Sequence, residues 1–291
     1  MTMTRLKRLS HNPLIREGAP LLGLYWLYSS IRWFVARSSP YEAFSNAFKV
    51  IQLETELGIF HEPAIQGWLI DHAMGLVRLA NNFYTVGYFP ILFLTGFLLY
   101  WFNPDHYYVF KLTFALGLGF ALVSFSLFPL APPRMLPQVG FVDTQQVYGD
   151  GFYNRKVMLS FYNPYAAMPS LHFGWSLLTG IMARASGRRV LKWLGMLYPC
   201  CMVFAIVTTG HHYFLDIVGG GIVVGTAYLL VNALPRPSKE LATRPVQTHG
   251  NVLYKPEFTG LRPNLLDSNR LQDRLERRKA QVLHYLNHLA K

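Results

Sequence analysis

The sequence predicts an all-α fold: a polytopic membrane helical bundle of six transmembrane helices, with interfacial helices and a cytoplasmic C-terminal helix. Three observations carry this expectation. Charged residues are only 14% of the chain, while 52% is hydrophobic and 15% aromatic. Apolar runs close to the ~20 residues that cross a hydrocarbon core recur along it. The basic residues behind the net charge of +12 lie between and outside those runs. They are not gathered on one soluble segment, so nucleic acid does not explain the charge.

Taken in order, the runs fall near residues 19–36, 79–102, 109–130, 168–185, 190–209 and 213–233. The first follows Arg5, Lys7, Arg8 and Arg16, and the context "FVARSSP" is a poor cleavage site, so an uncleaved span is expected. Arg32 near its end can snorkel to the interface. The stretch between the first two runs, "YEAFSNAFKVIQLETELGIFHEPAIQGWLIDHAMG", is too polar to cross. Its Phe48, Ile51, Leu53 and Leu57, set among Lys49, Glu54 and Glu56, predict helices lying in the interface. Cys200 and Cys201 are adjacent in an apolar run, which is neither a disulfide framework nor a C-x-x-C metal motif.

The positive-inside rule orients the set. A basic N-terminus, the loop "RASGRRVLK" and a tail from residue 234 with 11 Lys+Arg against 5 Asp+Glu all fall on the cytoplasmic side of one six-span topology. The loop 131–167, the start of the fourth span and the His211–His212 turn then share the extracytoplasmic side. In the tail, Leu271, Leu275, Val282, Leu286 and Leu289 recur at helical spacing beside Arg270, Arg274, Arg277, Arg278 and Lys279. An amphipathic helix is expected there, able to meet acidic lipids, a partner helix or the bundle itself.

Three polar motifs interrupt this apolar background. In "FPLAPPRMLP" (128–137), Pro129, Pro132 and Pro133 end the third span and deliver Arg134 on a stiff turn. Alone, such an arginine is most simply a headgroup anchor. In "YAAMPSLHFGWS" (165–176), Pro169 suits the first turn of the fourth span. Amides of that turn and the Ser170 hydroxyl make an anion site, with His172 just beyond. A capped helix start with one hydrogen-bonded histidine is the plainer reading. In "TTGHHYFLDIVGGG" (208–221), His212 and Asp216 stand at i and i+4, so the carboxylate can fix the imidazole tautomer and raise its basicity. Ionisable groups at such depth mark function by default, although a structural His–Asp pair is the bland alternative. On one membrane face, these groups suit phosphoryl chemistry: cations for the oxygens, an imidazole nucleophile and an acid for the leaving oxygen. The scheme requires no metal or other cofactor.

These motifs resemble the type 2 phosphatidic acid phosphatase superfamily. "PSLH" at 169–172 looks like its P-S-G-H, and "HYFLD" at 212–216 looks like its H-x-x-x-D. Within it, "APPR", "AAMPSLHFGWS" and "TGHHYFLD" are most similar to the inositol-phosphorylceramide synthase branch. The resemblance implies catalytic roles for His212 (nucleophile), Asp216 (its orienter) and His172 (acid, then base), with Ser170 and Arg134 on the phosphoryl oxygens. Two departures stand out. Leu127 occupies the place of a family lysine, and Ala205 and Ile206 the place of a Ser-Arg pair. Arg155 and Lys156 in the external loop could replace one cation, or be solvated loop charges. His211, Asn81, Asn82 and Tyr84 could read the acceptor, or serve as hydrogen bonding inside the bundle.

The expected organisation is a cytoplasmic N-terminus (1–18), a first transmembrane helix with interfacial helices (19–78), a catalytic membrane core (79–233) and a cytoplasmic tail (234–291). The expected function is phosphotransfer between a lipid phosphate or phospholipid and a polar alcohol such as inositol. With water as acceptor it is a lipid-phosphate or polyprenyl-phosphate phosphatase. From another class, the His/Asp cluster could serve a metal or proton transporter. A catalytically dead lipid-binding homologue is a further alternative.

Overall fold

The computed structural model describes residues 40–149 and 164–235, together with Gly23. Apart from Gly23, the expected first span lies outside the described residues, as do Arg155, Lys156 and the C-terminal amphipathic helix. Within them the chain is all-helical, and pairing outside helices is limited to an isolated parallel bridge between Leu130 and Ala166.

Two helices, α1 (Pro40–Glu56) and α2 (Glu62–His72), occupy the stretch expected to lie in the interface. Each carries a proline and a glutamate in its first turn, a residue with no N–H to lose and a charge that suits the helix dipole. Phe48, Leu53 and Trp68 are exposed along them. Glu54, one of the charged residues of that stretch, is completely buried, as are Glu62 and Gln66.

The second expected span is broken. α3 (Met74–Asn82) and α4 (Tyr88–Phe102) are joined by a π-helical turn over Phe83–Gly87 and bent by 47°. Asn81 explains why amides sit there. Its side chain donates to the Thr144 carbonyl at 2.9 Å and accepts from the Thr144 hydroxyl at 2.8 Å, which ties α3 to the short helix α6 (Thr144–Tyr148). Between them, α5 (Pro104–Leu127) starts at an Asn103 cap that accepts from the His106 amide and stops short of Pro129.

The remaining helices are α7 (Leu171–Ala185), α8 (Arg189–Thr208) and α9 (Phe214–Ala233). α7 packs most extensively on α8, and α9 packs on α5 and α7. Their shared core contains Leu122, Trp175, Leu178, Met202, Ile206 and Val224. α9 approaches the start of α7 so closely that a Cβ at Gly220 would collide with the Ser170 carbonyl oxygen. A second cluster, with Val50, Leu130, Leu136, Phe141 and Tyr213, packs α1 beneath the loop after α5.

Large apolar side chains face outward on α4 (Phe89, Phe93, Phe97), α8 (Trp193, Leu194, Leu197) and α9 (Val218, Ile222, Leu229). Apolar on the outside as well as within, these helices belong in a bilayer. Among the described residues three helices, α5, α8 and α9, are long and apolar enough to cross, or four with the bent pair counted as one span. α7 has 15 residues rather than the expected 18. At 1.5 Å per residue it is about 22 Å long, short of the ~30 Å hydrocarbon core.

Candidate active site

The three motifs meet at one end of the bundle. α8 ends at Thr208, and Gly210 turns the chain with φ of 65°, a left-handed conformation that glycine adopts without strain. The Gly210 carbonyl accepts from the Arg134 amide at 2.7 Å, which joins the first and third motifs. His211, His212 and Tyr213 follow, and α9 begins. The Tyr213 amide donates to Asp216 Oδ2 at 3.0 Å, so this carboxylate caps its own helix.

His212 is held by more than Asp216. Its Nδ1 lies 2.8 Å from the Ala167 carbonyl and 3.3 Å from Asp216 Oδ2. Two acceptors on one nitrogen place the proton on Nδ1 and the lone pair on Nε2. The Ala167 bond was beyond the reach of sequence reading, because a backbone carbonyl leaves no mark in residue type. Burial pushes His212 down to about 3, opposed by the Ala167 bond and reinforced by the Arg134 charge, so the imidazole is neutral at physiological pH.

The second motif differs from expectation by a register step. Pro169 precedes the helix, with a cis peptide bond after Met168, and Ser170 is the N-cap. The Ser170 hydroxyl oxygen accepts from the Phe173 amide at 3.4 Å, and its own amide donates to the Asp216 carbonyl at 2.9 Å. That amide is therefore spent on joining α7 to α9 rather than on an anion. His172, in the first turn of α7, has its ring centroid 5.8 Å from that of His212. It is partly exposed, whereas His211 and His212 are 3% and 5% exposed.

Aromatic rings line the other side of His172. Between ring centroids, Tyr84 stacks on it at 4.3 Å and lies tilted against His211 at 4.0 Å, and Tyr88 is 4.5 Å from it. The π-helical turn carries Tyr84 and leads into Tyr88, and such turns recur at functional sites. Tyr88 escaped the sequence reading, although its spacing of four from Tyr84 was a usable signal. His211 Nδ1 contacts the Thr209 hydroxyl at 2.9 Å, and burial, with the Arg134 charge, pushes His211 down as well.

Arg134 is 8% exposed, lies within Coulombic reach of all three histidines, and faces Asp143 with Nε to Oδ2 at 3.6 Å. Asp143 is a further residue the sequence did not single out. Of the substituted family positions, Leu127 points outward at 77% exposure, while Ala205 and Ile206 are completely buried. Their carbonyls bind Thr209 and His211 and so support the turn through backbone alone. Among the described residues, no group of three or more His, Cys, Asp or Glu side chains is arranged to hold a metal ion.

Fold and site together define a helical membrane protein in which buried His211, His212, Asp216 and Arg134 gather beside a partly exposed His172. A family model for the PAP2 superfamily matches residues 49–230, and the chain belongs to that superfamily of phosphatases and phosphotransferases. Over 106 residues it is 28% identical to the inositol phosphorylceramide synthase catalytic subunit aur1 of Schizosaccharomyces pombe, a match that covers 36% of this chain and 23% of that protein. The chain thus spans less than a quarter of that relative's length. No solved structure matches it.

Proposed function

We propose that the protein is an integral-membrane lipid phosphotransferase that moves a phosphoryl or phospho-headgroup between a lipid and a polar alcohol such as inositol, through a phosphohistidine on His212. The observation that carries this reading is the double hold on His212 Nδ1 by Ala167 and Asp216, which makes Nε2 the nucleophile. Nε2 attacks phosphorus. The N–P bond forms as the bond to the leaving alkoxide breaks, and His172 gives that oxygen its proton. Asp216 offsets the positive charge gained by the ring. Arg134 and the Ser170 hydroxyl hold the phosphoryl oxygens, where charge builds. In the second half His172 takes the acceptor's proton, the acceptor oxygen attacks phosphorus, and the N–P bond breaks to return neutral His212.

The proposed topology has six spans, cytoplasmic termini and the site on the extracytoplasmic face. Arg155 and Lys156 are candidates for a second cation, and Tyr84 and His211 for reading the acceptor. Asn81, bonded at both ends to Thr144, would act by holding α6 in place. The low exposure of Ser170 (0%) and His212 (5%) favours a bound alcohol over bulk water, and the similar S. pombe protein is named a synthase. Water as acceptor would make the protein a lipid-phosphate phosphatase.

Single-turnover labelling tests the proposal, with lipid phosphates and phosphoinositol donors radiolabelled at phosphorus and wild type beside His212→Gln. Wild type alone should acquire an acid-labile, alkali-stable label. Chasing with inositol or with water alone separates transferase from phosphatase. Equal labelling of the variant, or His212-independent turnover, would sink the phosphohistidine route.

A further inference from the structure

Glu54 on α1 and Glu62 on α2 are both 0% exposed. They reach across to the N-terminus of α9, where Glu54 Oε1 accepts from the Leu215 amide at 2.7 Å and Glu62 Oε1 accepts from the Phe214 amide at 2.9 Å. These are the first two amides of the helix that carries Asp216, and helix geometry offers them no internal partner. Because these two amides are neighbours in sequence, the two carboxyls are held side by side, each within electrostatic reach of the other. Among the described residues no other donor reaches the second oxygen of either: Glu54 Oε2 and Glu62 Oε2 are buried and unpartnered. The charged groups facing Glu54 are Glu62 and Asp216, and the Tyr213 phenol feels Glu54, Glu62 and Asp216 alike. Among the described residues, no cation acts on Glu54.

Two carboxylates held side by side, buried and without a cation, are costly to ionise together. A proton held between them satisfies both unpartnered oxygens at once and leaves one negative charge, which the helix N-terminus stabilises. We propose that Glu54 and Glu62 share one proton and act as a positioning pair, clamping α1 and α2 onto the first turn of α9 and so fixing where Asp216 and His212 stand. The clamp is a property of the fold. Only its effect on turnover rests on the reading of His212 as nucleophile. Burial, followed by the contact with Glu62, pushes Glu54 up to about 9, in keeping with a proton retained at neutral pH.

The pH dependence has a definite sign. Glu54 loses its proton near the ordinary glutamate value of 4.5 when unfolded and near about 9 when folded, so between these limits the folded state holds the extra proton. Stability then falls as pH rises through that window. In Glu54→Gln or Glu62→Gln the amide can take the proton's place: its oxygen accepts from α9 and its N–H donates to the remaining carboxylate. Each single variant should keep turnover within about threefold and show a melting temperature that falls less across the window than that of wild type. The double variant turns two amide N–H groups toward each other, and its folding equilibrium constant should fall at least about tenfold, the equivalent of one unpaired buried donor.

The experiment measures melting temperature against pH in detergent, the infrared carboxylic C=O band at neutral pH, and turnover, for wild type, both single variants and the double variant. Wild type minus either single variant should show one carboxylic band. Superimposable melting profiles for wild type and both single variants, or no such band, would overturn the shared proton. Single variants as damaged as the double would do the same. If wild type shows no turnover, the proposed function fails, while the infrared and melting arms still decide the pair. Should one single variant fail to fold, the other and the wild-type infrared titration decide it.

Discussion

His212 offers one N–H to two acceptors, and their unequal distances decide how much each matters. Ala167, at 2.8 Å, is within ordinary hydrogen-bond range, while Asp216 at 3.3 Å is at its edge and also serves the Tyr213 amide. Where an aspartate alone orients a catalytic histidine, its change to asparagine costs about 10⁴-fold. Here the Ala167 carbonyl still holds the tautomer, so Asp216→Asn should slow adduct formation by only about 10²-fold. Asp216→Ala also loses the helix cap and should cost about 1 kcal/mol of stability, which the asparagine variant retains. Single-turnover rates and melting temperatures check both. A 10⁴-fold loss in the asparagine variant would show that the carboxylate, not the carbonyl, fixes the ring. The residue types His212, Asp216, His172 and Arg134 were legible in the sequence, because histidines and an aspartate between apolar runs are costly to bury unless they are paired or used. The Ala167 carbonyl was not, because it belongs to every residue alike.

At the scale of elements, the site depends on how closely α9 can approach the start of α7. The Ser170 amide donates to the Asp216 carbonyl at 2.9 Å, and Gly220, one turn along, leaves room for the Ser170 backbone. Gly220→Ala should therefore push the two helices apart, costing roughly 1–3 kcal/mol as an overpacked contact and slowing turnover through Ser170 and His172. Gly225, on the same helix with nothing within 4 Å of its missing Cβ, is the control. There alanine should stabilise by about 0.5–1 kcal/mol through helix propensity. Melting temperatures of the pair in detergent test this, and similar shifts would remove the close-approach argument. Three consecutive glycines, Gly219, Gly220 and Gly221, leave one stretch of α9 without side chains, which suits a close helix approach. Which of them meets Ser170 depends on the azimuth of α9, which only its neighbours set.

For the whole molecule, the polar motifs gather at one end of the bundle, and the proposed topology turns that end away from the cytoplasm. After replacement of Cys200 and Cys201, a membrane-impermeant maleimide should label Gln146→Cys from the extracytoplasmic side. It should reach Arg188→Cys only after permeabilisation. Both positions are exposed, so the reversed pattern would invert the topology. The helical class, the membrane setting and the residue types of the candidate site could be read from the chain alone, since hydropathy, proline and charge act along it and at short range. The sequence misjudged α7 by three residues, because the Ser170 cap is fixed by a bond to Asp216 46 positions away. It gave no sign that Glu54 would be buried, because nothing local foretells that α9 will offer it a helix N-terminus. Packing alone set which distant backbone groups satisfy the buried polar atoms: Ala167 for His212, Thr144 for Asn81, and the amides of Phe214 and Leu215 for two carboxyls. Burial makes such pairing obligatory, while the partner's position comes from packing, and a linear pattern does not encode it.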